Sequence, residues 1–134
     1  MVNRSVVHWV GGKSRMLKHI LERLPQKMNN YFEPFLGSGI VYLNLPRTRF
    51  KKAYINDINE ELMNVYSFVK SSPVQLINKL RSMSSTFMKK IPEKRKLYFI
   101  RMKNKFNATA RNTIGRAALY IFLNKTFCEL SIRF

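Results

Sequence analysis

Apolar residues recur at helical spacing in the segment that follows the Gly11-Gly12 pair. Across residues 14–24 this spacing predicts an amphipathic helix with one buried stripe. Pro25 comes directly afterwards and predicts the end of the helix. The predicted stripe consists of Met16, Leu17, Ile20, Leu21 and Leu24.

Two short runs further along have the character of strands. Residues 31–35 form an aromatic run that predicts a strand entering a turn at residues 36–39, after which residues 40–43 can begin a helix. Residues 52–56 predict a second strand, which ends at Asp57, and helical spacing resumes from Asn59. Such a unit predicts two parallel strands joined by a right-handed crossover.

The second half of the chain is predicted to be mostly helical. Ser72-Pro73 resembles an N-cap followed by proline at the first helical position, and a stripe of apolar residues follows it. Residues 93–106 and 113–123 predict two further helices. We therefore predict an α/β region over residues 1–70 and a helical, basic segment over residues 71–134.

Length and composition favour an ordinary globular protein. The chain has 134 residues, of which 46% are hydrophobic, and a core of normal size is expected. No stretch approaches the roughly 18 apolar residues of a membrane span, and the N-terminus turns polar too early for a signal peptide. We therefore expect a cytoplasmic protein. We also expect no metal, because Cys128 is the only cysteine and no Cys/His cluster has zinc-ligand spacing.

The strong positive charge of the chain indicates a polyanionic partner. The net charge is +18, and most of it lies in the second half: from Ser67 onward there are fifteen Lys/Arg against two Asp/Glu. Such a density favours salt-dependent binding to DNA or RNA. The alternatives are a solvated basic surface, or a surface that an acidic partner segment normally covers.

Candidate chemistry lies at the two predicted strand ends. A glycine turn after one strand, followed about 20 residues later by an acid that ends the next strand, is typical of a nucleoside site. Gly37 and Asp57 stand at that separation, and Tyr42 replaces the third glycine of a dinucleotide motif, which favours a ligand without a diphosphate. Taken singly, the glycines could form an ordinary tight turn and Asp57 could be a helix N-cap.

Three blocks then occur in an order that resembles one protein family. They are His8-Trp9-Val10-Gly11-Gly12-Lys13, Tyr31-Phe32-Glu33-Pro34-Phe35-Leu36-Gly37-Ser38-Gly39 and Tyr54-Ile55-Asn56-Asp57-Ile58-Asn59. Together they resemble the N-terminal motif, cofactor loop and ribose-binding strand end of the Dam-type (D12 class) DNA adenine-N6 methyltransferases of prokaryotes and their phages. The resemblance implies a truncated Rossmann-like fold that binds S-adenosyl-L-methionine, with a helical DNA-recognition segment, and a role in restriction-modification or DNA methylation.

The resemblance also implies roles for individual residues. The cofactor-binding residues would be Trp9, Lys13, Glu33, Phe35, Gly37, Gly39 and Asp57. Trp9 and Lys13 would contact S-adenosylmethionine from the N-terminal block, the loop residues would shape its methionine end, and Asp57 would bind the ribose. An aromatic face suits a sulfonium and an ammonium suits a carboxylate. The alternatives are a core position for Trp9, a surface charge at Lys13 and simple packing for Phe35.

Residues 98–107 and 116–126 resemble the start of the family's target-recognition region, which implies double-stranded DNA as the partner. The candidate phosphate or base contacts are Lys103, Arg116, Asn124 and Lys125. Helices with solvated basic faces are the alternative interpretation.

The family's pattern breaks near Phe127, where its usual Asn-Gly turn is missing, and no catalytic Asp-Pro-Pro-Tyr motif occurs among these residues. That motif would position the extruded adenine. We therefore predict no catalytic residue in this chain and negligible methyl transfer by it alone. Two other hypotheses stay open: a basic nucleic-acid-binding module with a vestigial pocket, and one subunit of a split enzyme whose second polypeptide carries the motif.

Overall fold

The computed structural model describes residues 3–131, and their side chains as far as residue 127. The side chain of Cys128 and most of the divergent segment after Phe127 therefore lie outside the described part. The chain forms two compact units, Met1–Ile58 and Asn59–Phe134. The helix that begins at Glu60 belongs to the second unit, so the boundary precedes the one predicted at residue 70.

The first unit combines short helices with two strands. In chain order its elements are a 3-10 turn (Lys13–Met16), α1 (Leu17–Arg23), β1 (Met28–Glu33), α2 (Ile40–Asn44), a second 3-10 turn (Arg47–Arg49) and β2 (Phe50–Ile55). The predicted order of helix, strand, turn, helix and strand is confirmed. Because the first predicted helix starts as a 3-10 turn, its residues advance by a different angle, and the Met16 side chain is exposed rather than on the buried stripe.

The two strands pair in parallel, as predicted, and form a two-stranded sheet among the described residues. Tyr31 lies opposite Ala53, and Phe32 lies opposite Tyr54. The molecule is thus of mixed helix and strand type, compatible with the α/β class. One face of the sheet points into the core, while the Phe32 and Tyr54 rings stack on the exposed face with their centroids 4.9 Å apart.

A single hydrophobic cluster covers the inner face of this sheet. Its buried members are Leu17, Tyr31, Ile40, Val41, Leu45 and Phe50. Ile20, Leu21 and Leu24 pack against them, so the rest of the predicted α1 stripe does face the core. Burial of this apolar surface is what joins α1 and α2 to the sheet.

The second unit is helical, as predicted. It contains α3 (Glu60–Ser71), α4 (Pro73–Met88), α5 (Pro92–Ala108) and α6 (Ile114–Ser131). α6 packs against each of the other three helices, and its core cluster consists of Phe87, Met102, Leu119 and Phe122. Pro73 and Pro92 each stand in the first turn of a helix, where a missing backbone N–H costs nothing.

Candidate functional site

The parallel pairing brings the carboxyl ends of β1 and β2 to the same edge of the sheet. The backbone hydrogen bonds continue beyond the strands: Asn56 N donates to Glu33 O, and Leu36 N donates to Asn56 O, both at 2.9 Å. The loops that leave the two strands are therefore held side by side. This local geometry sets the positions of the predicted glycine turn and the predicted carboxylate.

Gly37 and Asp57 are directly bonded. The Gly37 backbone N–H donates to Oδ2 of Asp57 across 2.8 Å, in a partly buried setting. The N-cap of α3 is Asn59, whose side-chain oxygen accepts from Leu62 N at 3.0 Å. The alternative that Asp57 serves as the helix N-cap is therefore wrong, because the capping bond is made two residues later.

The glycine turn has a backbone that glycine adopts readily. Gly37 has φ 54° and Gly39 has φ 65°, both in the left-handed region that is costly for residues with a Cβ. Gly39 is buried and immediately precedes α2. This turn differs from an ordinary tight turn, because two residues within three positions have positive φ.

Trp9 lies against this turn rather than in the hydrophobic core. A Cβ added at Gly37 would be 3.1 Å from Cδ1 and 3.2 Å from Nε1 of the indole, a tight contact that the ring could relieve only by shifting. The Trp9 backbone is held in turn, because its carbonyl accepts from Gly12 N at 3.3 Å. The alternative of a core position for Trp9 is thus not what the fold adopts, because the residue is only partly buried.

Lys13 reaches the same place from the N-terminal block. Its Nζ donates to the Phe35 carbonyl at 2.9 Å and to Oε1 of Glu33 at 3.1 Å. Oε2 of Glu33 accepts a hydrogen bond from the Tyr31 hydroxyl at 2.8 Å. Lys13 is thus a partly exposed charge whose ammonium group is held by two acceptors.

The phenol of Tyr31 is perturbed by this arrangement. Burial raises its pKa because the phenolate would lose its hydration, and the hydrogen bond to Glu33 and the negative charge of that carboxylate raise it further. Tyr31 thus stays protonated and remains a hydrogen-bond donor to Glu33. Tyr31 is not among the site residues predicted from the sequence, although it lies two positions from Glu33 and on the same face of the strand.

A cavity of about 140 Å³ opens between these groups. Its lining comprises Trp9, Gly11, Gly12, Lys13, Phe35, Leu36, Gly37, Ser38, Ile40 and Asp57. Five of the seven predicted cofactor-binding residues are therefore brought together. Glu33, which pairs with Lys13, and Gly39, which precedes α2, are not among the lining residues. Phe35 is 80% exposed, so its ring borders the cavity and is not buried by packing.

The four predicted DNA contacts occupy different settings in the second unit. Lys103 is exposed on α5, while Asn124 and Lys125 are half-buried on α6. Arg116 is enclosed, with its side chain 11% exposed. Its position favours a structural role over contact with DNA.

Arg116 connects three parts of the second unit. Its Nε and Nη2 each approach Oε1 of Glu61, on α3, to 2.7 Å. Nη1 donates to the carbonyls of Phe106 and Thr109 at the end of α5, and the guanidinium carbon lies 4.2 Å from the centroid of the Phe106 ring. The last carbonyls of a helix lack partners from a following turn, so this arginine adds a donor to the Phe106 carbonyl, which also accepts from Thr109 N, and supplies one to the C-cap carbonyl of Thr109.

Neither a metal centre nor a membrane segment stands out in the described part of the chain. Among residues 3–127, His, Cys, Asp and Glu side chains form no group of three or more that could hold a metal ion. Within the same part, every helix is too short or too polar to cross a membrane.

Comparison with known proteins gives a consistent relationship. Residues 9–134 match the family model of the D12 class N6 adenine-specific DNA methyltransferases. The chain is 38% identical over 126 residues to the Type II methyltransferase M.MjaIII of Methanocaldococcus jannaschii, with 88% of this chain and 44% of the relative covered. It is 32% identical over 123 residues to the DNA adenine methylase of Salmonella typhi, with 92% and 41% covered.

A shorter match gives higher identity. The Type II methyltransferase M1.LlaDCHI of Lactococcus lactis subsp. cremoris is 44% identical over 77 residues, which cover 58% of this chain and 26% of the relative. The chain therefore spans less than half the length of these curated relatives. Because the family model covers almost all of it, the chain belongs to the D12 class N6 adenine-specific DNA methyltransferases.

Proposed function

We propose that this chain forms the S-adenosylmethionine-binding part of a DNA adenine-N6 methyltransferase. The observation that carries the proposal is the bond between Gly37 N and Asp57 Oδ2, made at the mouth of a cavity that Trp9 and Lys13 also line. A glycine turn beside a carboxylate, at the carboxyl edge of a parallel sheet, is the arrangement that binds nucleosides in Rossmann-like folds. We propose that this chain has the same Rossmann-like fold.

Five of the predicted cofactor-binding residues then have roles that suit their chemistry. Asp57 accepts hydrogen bonds from the ribose hydroxyls, and Lys13 meets the carboxylate of the methionine moiety. Trp9 offers its aromatic face to the sulfonium, which the negative face of the ring quadrupole attracts. Gly37 and Gly39 keep Cβ atoms out of the turn, so the backbone can approach the ligand closely.

The size of the cavity indicates how much of the ligand it holds. At about 140 Å³ it is smaller than the roughly 300 Å³ at which pockets for whole drug-sized ligands begin. We infer that it encloses one part of the cofactor, while the remainder lies along the exposed Phe35 ring. Further protein surface would be needed to cover the cofactor completely.

When bound, S-adenosylmethionine supplies the methyl group: its S–CH₃ bond breaks as the N6–CH₃ bond forms, and S-adenosylhomocysteine and a proton are released. The present residues bind and orient the donor, but they include no Asp-Pro-Pro-Tyr motif to hold the adenine amino group. The proposal therefore assigns methyl transfer to an assembly in which that motif is added, and no transfer to these residues alone.

The second unit is proposed to contact double-stranded DNA through the basic surface of α5. Its exposed cations are Lys94, Lys96, Arg101, Lys103 and Lys105. They surround a stripe, containing Met102, that faces the helical core. Cations on the solvent side of one helix suit a phosphate backbone. Lys125 and Asn124 are proposed as additional contacts from α6, and Arg116 is omitted because its donors serve Glu61 and the end of α5.

Ligand binding tests the first part of the proposal. S-adenosylmethionine should raise the melting temperature of the 134-residue protein, since a ligand bound only by the folded state stabilises it. Asp57→Ala should abolish this shift, whereas Glu22→Gln, on the surface of the same unit, should retain it. Mixing the protein with methyl-labelled cofactor and adenine-containing DNA should give no labelled DNA. Absence of any shift for the wild type would refute the proposed cofactor site.

A separate measurement tests DNA contact. Fluorescence anisotropy with a short duplex at several salt concentrations should give binding that weakens steeply with salt. Lys103→Ala should lower the affinity and reduce the slope of log K against log salt by about 1. Lys18→Ala is the matched control, since this exposed lysine lies in the first unit. Equal effects of the two substitutions would contradict a specific role for α5.

A second candidate function is a nucleic-acid-binding module whose cofactor pocket is vestigial. Charge supports it, since Asn59–Phe134 carries fifteen Lys/Arg against four Asp/Glu. This candidate predicts salt-sensitive DNA binding without any response to S-adenosylmethionine, in contrast to the favoured proposal.

A third candidate is one subunit of a split methyltransferase. The exposed Phe32–Tyr54 stack supports it, because parallel sheets are normally covered on both faces. Mixing this chain with the C-terminal part of M.MjaIII should then restore methyl transfer, and Phe32→Ser should prevent the restoration. Failure of the mixture with the unaltered chain would count against this candidate.

A further inference from the structure

Tyr31 is a core residue whose hydroxyl has a charged partner. Its side chain is buried, and its ring lies 5.9 Å from that of Phe50, centroid to centroid. The hydroxyl donates to Oε2 of Glu33 at 2.8 Å. Since the ring is fixed by the packing around it, the direction of this hydrogen bond is fixed as well.

Glu33 transmits this constraint to Lys13. The Glu33 carboxylate is almost fully buried, and a buried carboxylate requires donors for its oxygens. Tyr31 supplies one donor, and the Lys13 ammonium supplies the other at 3.1 Å from Oε1. If the phenolic donor is removed, the carboxylate can rotate, and the ammonium that is paired with it moves too.

Lys13 in turn borders the cavity. Its Nζ also donates to the Phe35 carbonyl at 2.9 Å. An ammonium has three donors, so these two bonds leave capacity for one more acceptor. A carboxylate on a ligand in the adjoining cavity is the acceptor best matched to that charge.

We propose that Tyr31 is a positioning residue that acts through Glu33 on Lys13 and thereby sets the affinity of the cavity for the carboxylate of its ligand. The proposal rests on the proposed function, because the ligand carboxylate is that of S-adenosylmethionine. It goes further by naming a residue that does not line the cavity, and by assigning it one portion of the ligand.

The raised pKa of Tyr31 supports a permanent role of this kind. Burial and the neighbouring Glu33 both favour the protonated phenol, so the hydroxyl remains a donor throughout the physiological pH range. The donor therefore does not titrate away under working conditions.

Two substitutions separate positioning from packing. Tyr31→Phe removes the hydroxyl and keeps the ring against Phe50. Tyr42→Phe is the matched control: this ring also contacts Phe50, at 6.4 Å between centroids, but its hydroxyl accepts from Arg47 and does not face Glu33. Any general effect of losing a phenolic oxygen beside this core should appear in both variants.

The experiment compares two ligands that differ only in the relevant group. Trp9 is the only tryptophan and lines the cavity, so its fluorescence reports titrations with S-adenosylmethionine and with decarboxylated S-adenosylmethionine. Tyr31→Phe should weaken binding of the first ligand by about 3- to 10-fold, the size expected for one displaced polar contact. Binding of the decarboxylated ligand should change by less than about twofold, and Tyr42→Phe should affect neither.

A double-mutant cycle tests the connection through Lys13. In a Lys13→Gln background, Tyr31→Phe should cause no further loss of S-adenosylmethionine affinity, because the group it positions has been removed. If Tyr31→Phe fails to fold, Glu33→Gln provides the same comparison of the two ligands.

Several results would overturn the inference. Equal weakening for both ligands would indicate a general structural role, and unchanged affinity for S-adenosylmethionine would remove the role altogether. Loss that persists in the Lys13→Gln background would exclude action through that lysine. If the wild-type protein bound neither ligand, the proposed function itself would be refuted. If it bound both ligands with equal affinity, the proposed function would stand and only the role of Tyr31 would be refuted.

Discussion

Oδ2 of Asp57 lies 2.8 Å from the backbone nitrogen of Gly37, so the acid that follows one strand anchors the turn that follows the other. The two residues are 20 positions apart in sequence, and the bond exists only because β1 and β2 pair in parallel. Asp57 therefore has a structural task in addition to the ribose contact that we propose for it. Substitution of such a residue should change both the stability of the fold and the binding of the ligand, and the two effects can be measured separately.

Substitutions of Asp57 should distinguish its charge from its hydrogen bond. Asp57→Ala leaves the partly buried Gly37 amide without this acceptor and should lower the free energy of unfolding by about 1–3 kcal/mol. Asp57→Asn can still accept from Gly37, so it should retain most of that stability yet bind S-adenosylmethionine roughly tenfold more weakly. Urea denaturation and calorimetric titration measure the two effects. Equal stability of both variants would contradict the structural task.

Alanine at Gly37 should be more damaging than alanine at Gly11. Both glycines have positive φ, 54° and 74°, so both variants carry the backbone cost of about 1–2 kcal/mol. Only at Gly37 does the new Cβ approach the Trp9 ring, at 3.1 Å, whereas at Gly11 nothing lies within 4 Å. Thermal denaturation should therefore show a larger loss for Gly37→Ala, accompanied by altered Trp9 fluorescence. The same loss in both variants would exclude a steric role for the indole.

Removal of Arg116 should destabilise the second unit far more than removal of Arg111. Arg116→Ala removes a donor from the Glu61 carboxylate and from the Phe106 and Thr109 carbonyls, and it should cost roughly 2–4 kcal/mol. Arg111 is 73% exposed and pairs with the exposed Glu60, so Arg111→Ala should cost less than about 1 kcal/mol. Urea denaturation followed by circular dichroism measures both. Similar values would show that the enclosed ion pair contributes no more than the exposed one.

Alkaline pH should reveal the buried phenol of Tyr31. Its pKa is raised by burial first and by Glu33 second, so the folded state keeps a proton that the unfolded chain releases above about pH 10. The associated stabilisation is complete below that pH and is lost as the pH rises further. Between about pH 10 and 11 the wild type should lose up to about 1.4 kcal/mol more unfolding free energy than Tyr31→Phe does.

Tyr42→Phe serves as the control for this alkaline experiment and should follow the wild type. Urea midpoints at several pH values provide the comparison. Parallel curves for wild type and Tyr31→Phe would mean that the Tyr31 phenol titrates normally in the folded protein.

Local patterns in the sequence were sufficient for the secondary structure and for most of the cavity. Helical spacing identified α1 and α3 to α6, because burial of one face imposes a period on apolar residues. An aromatic run identified β1, and the short run at residues 52–56 identified β2. Because the carboxyl ends of parallel strands meet at one edge of a sheet, the proximity of Gly37 and Asp57 could be predicted from the sequence. Trp9 and Lys13 were reached through the family resemblance of the N-terminal block, and not through periodicity.

Other features depended on partners that no local pattern specifies. Asp57 had an equally reasonable role as an N-cap until its bond to Gly37 was known, and Arg116 looked like a DNA contact although it is bound to Glu61, 55 positions away. The Met16 side chain does not lie on the predicted buried stripe, because a 3-10 turn takes the place of the first turn of an α-helix. Tyr31 was predicted to be an aromatic residue of a strand, and no local pattern in the sequence indicates which group its hydroxyl contacts.

The sequence by itself determined which residues are apolar, where glycine permits a turn and where a carboxylate ends a strand, since these follow from side-chain chemistry and short-range periodicity. Tertiary structure alone decided which charged group meets which partner: Lys13 with Glu33, and Arg116 with Glu61. The physical reason is that ion pairs and buried hydrogen bonds depend on distances of a few ångströms between segments far apart in the chain, and folding sets those distances.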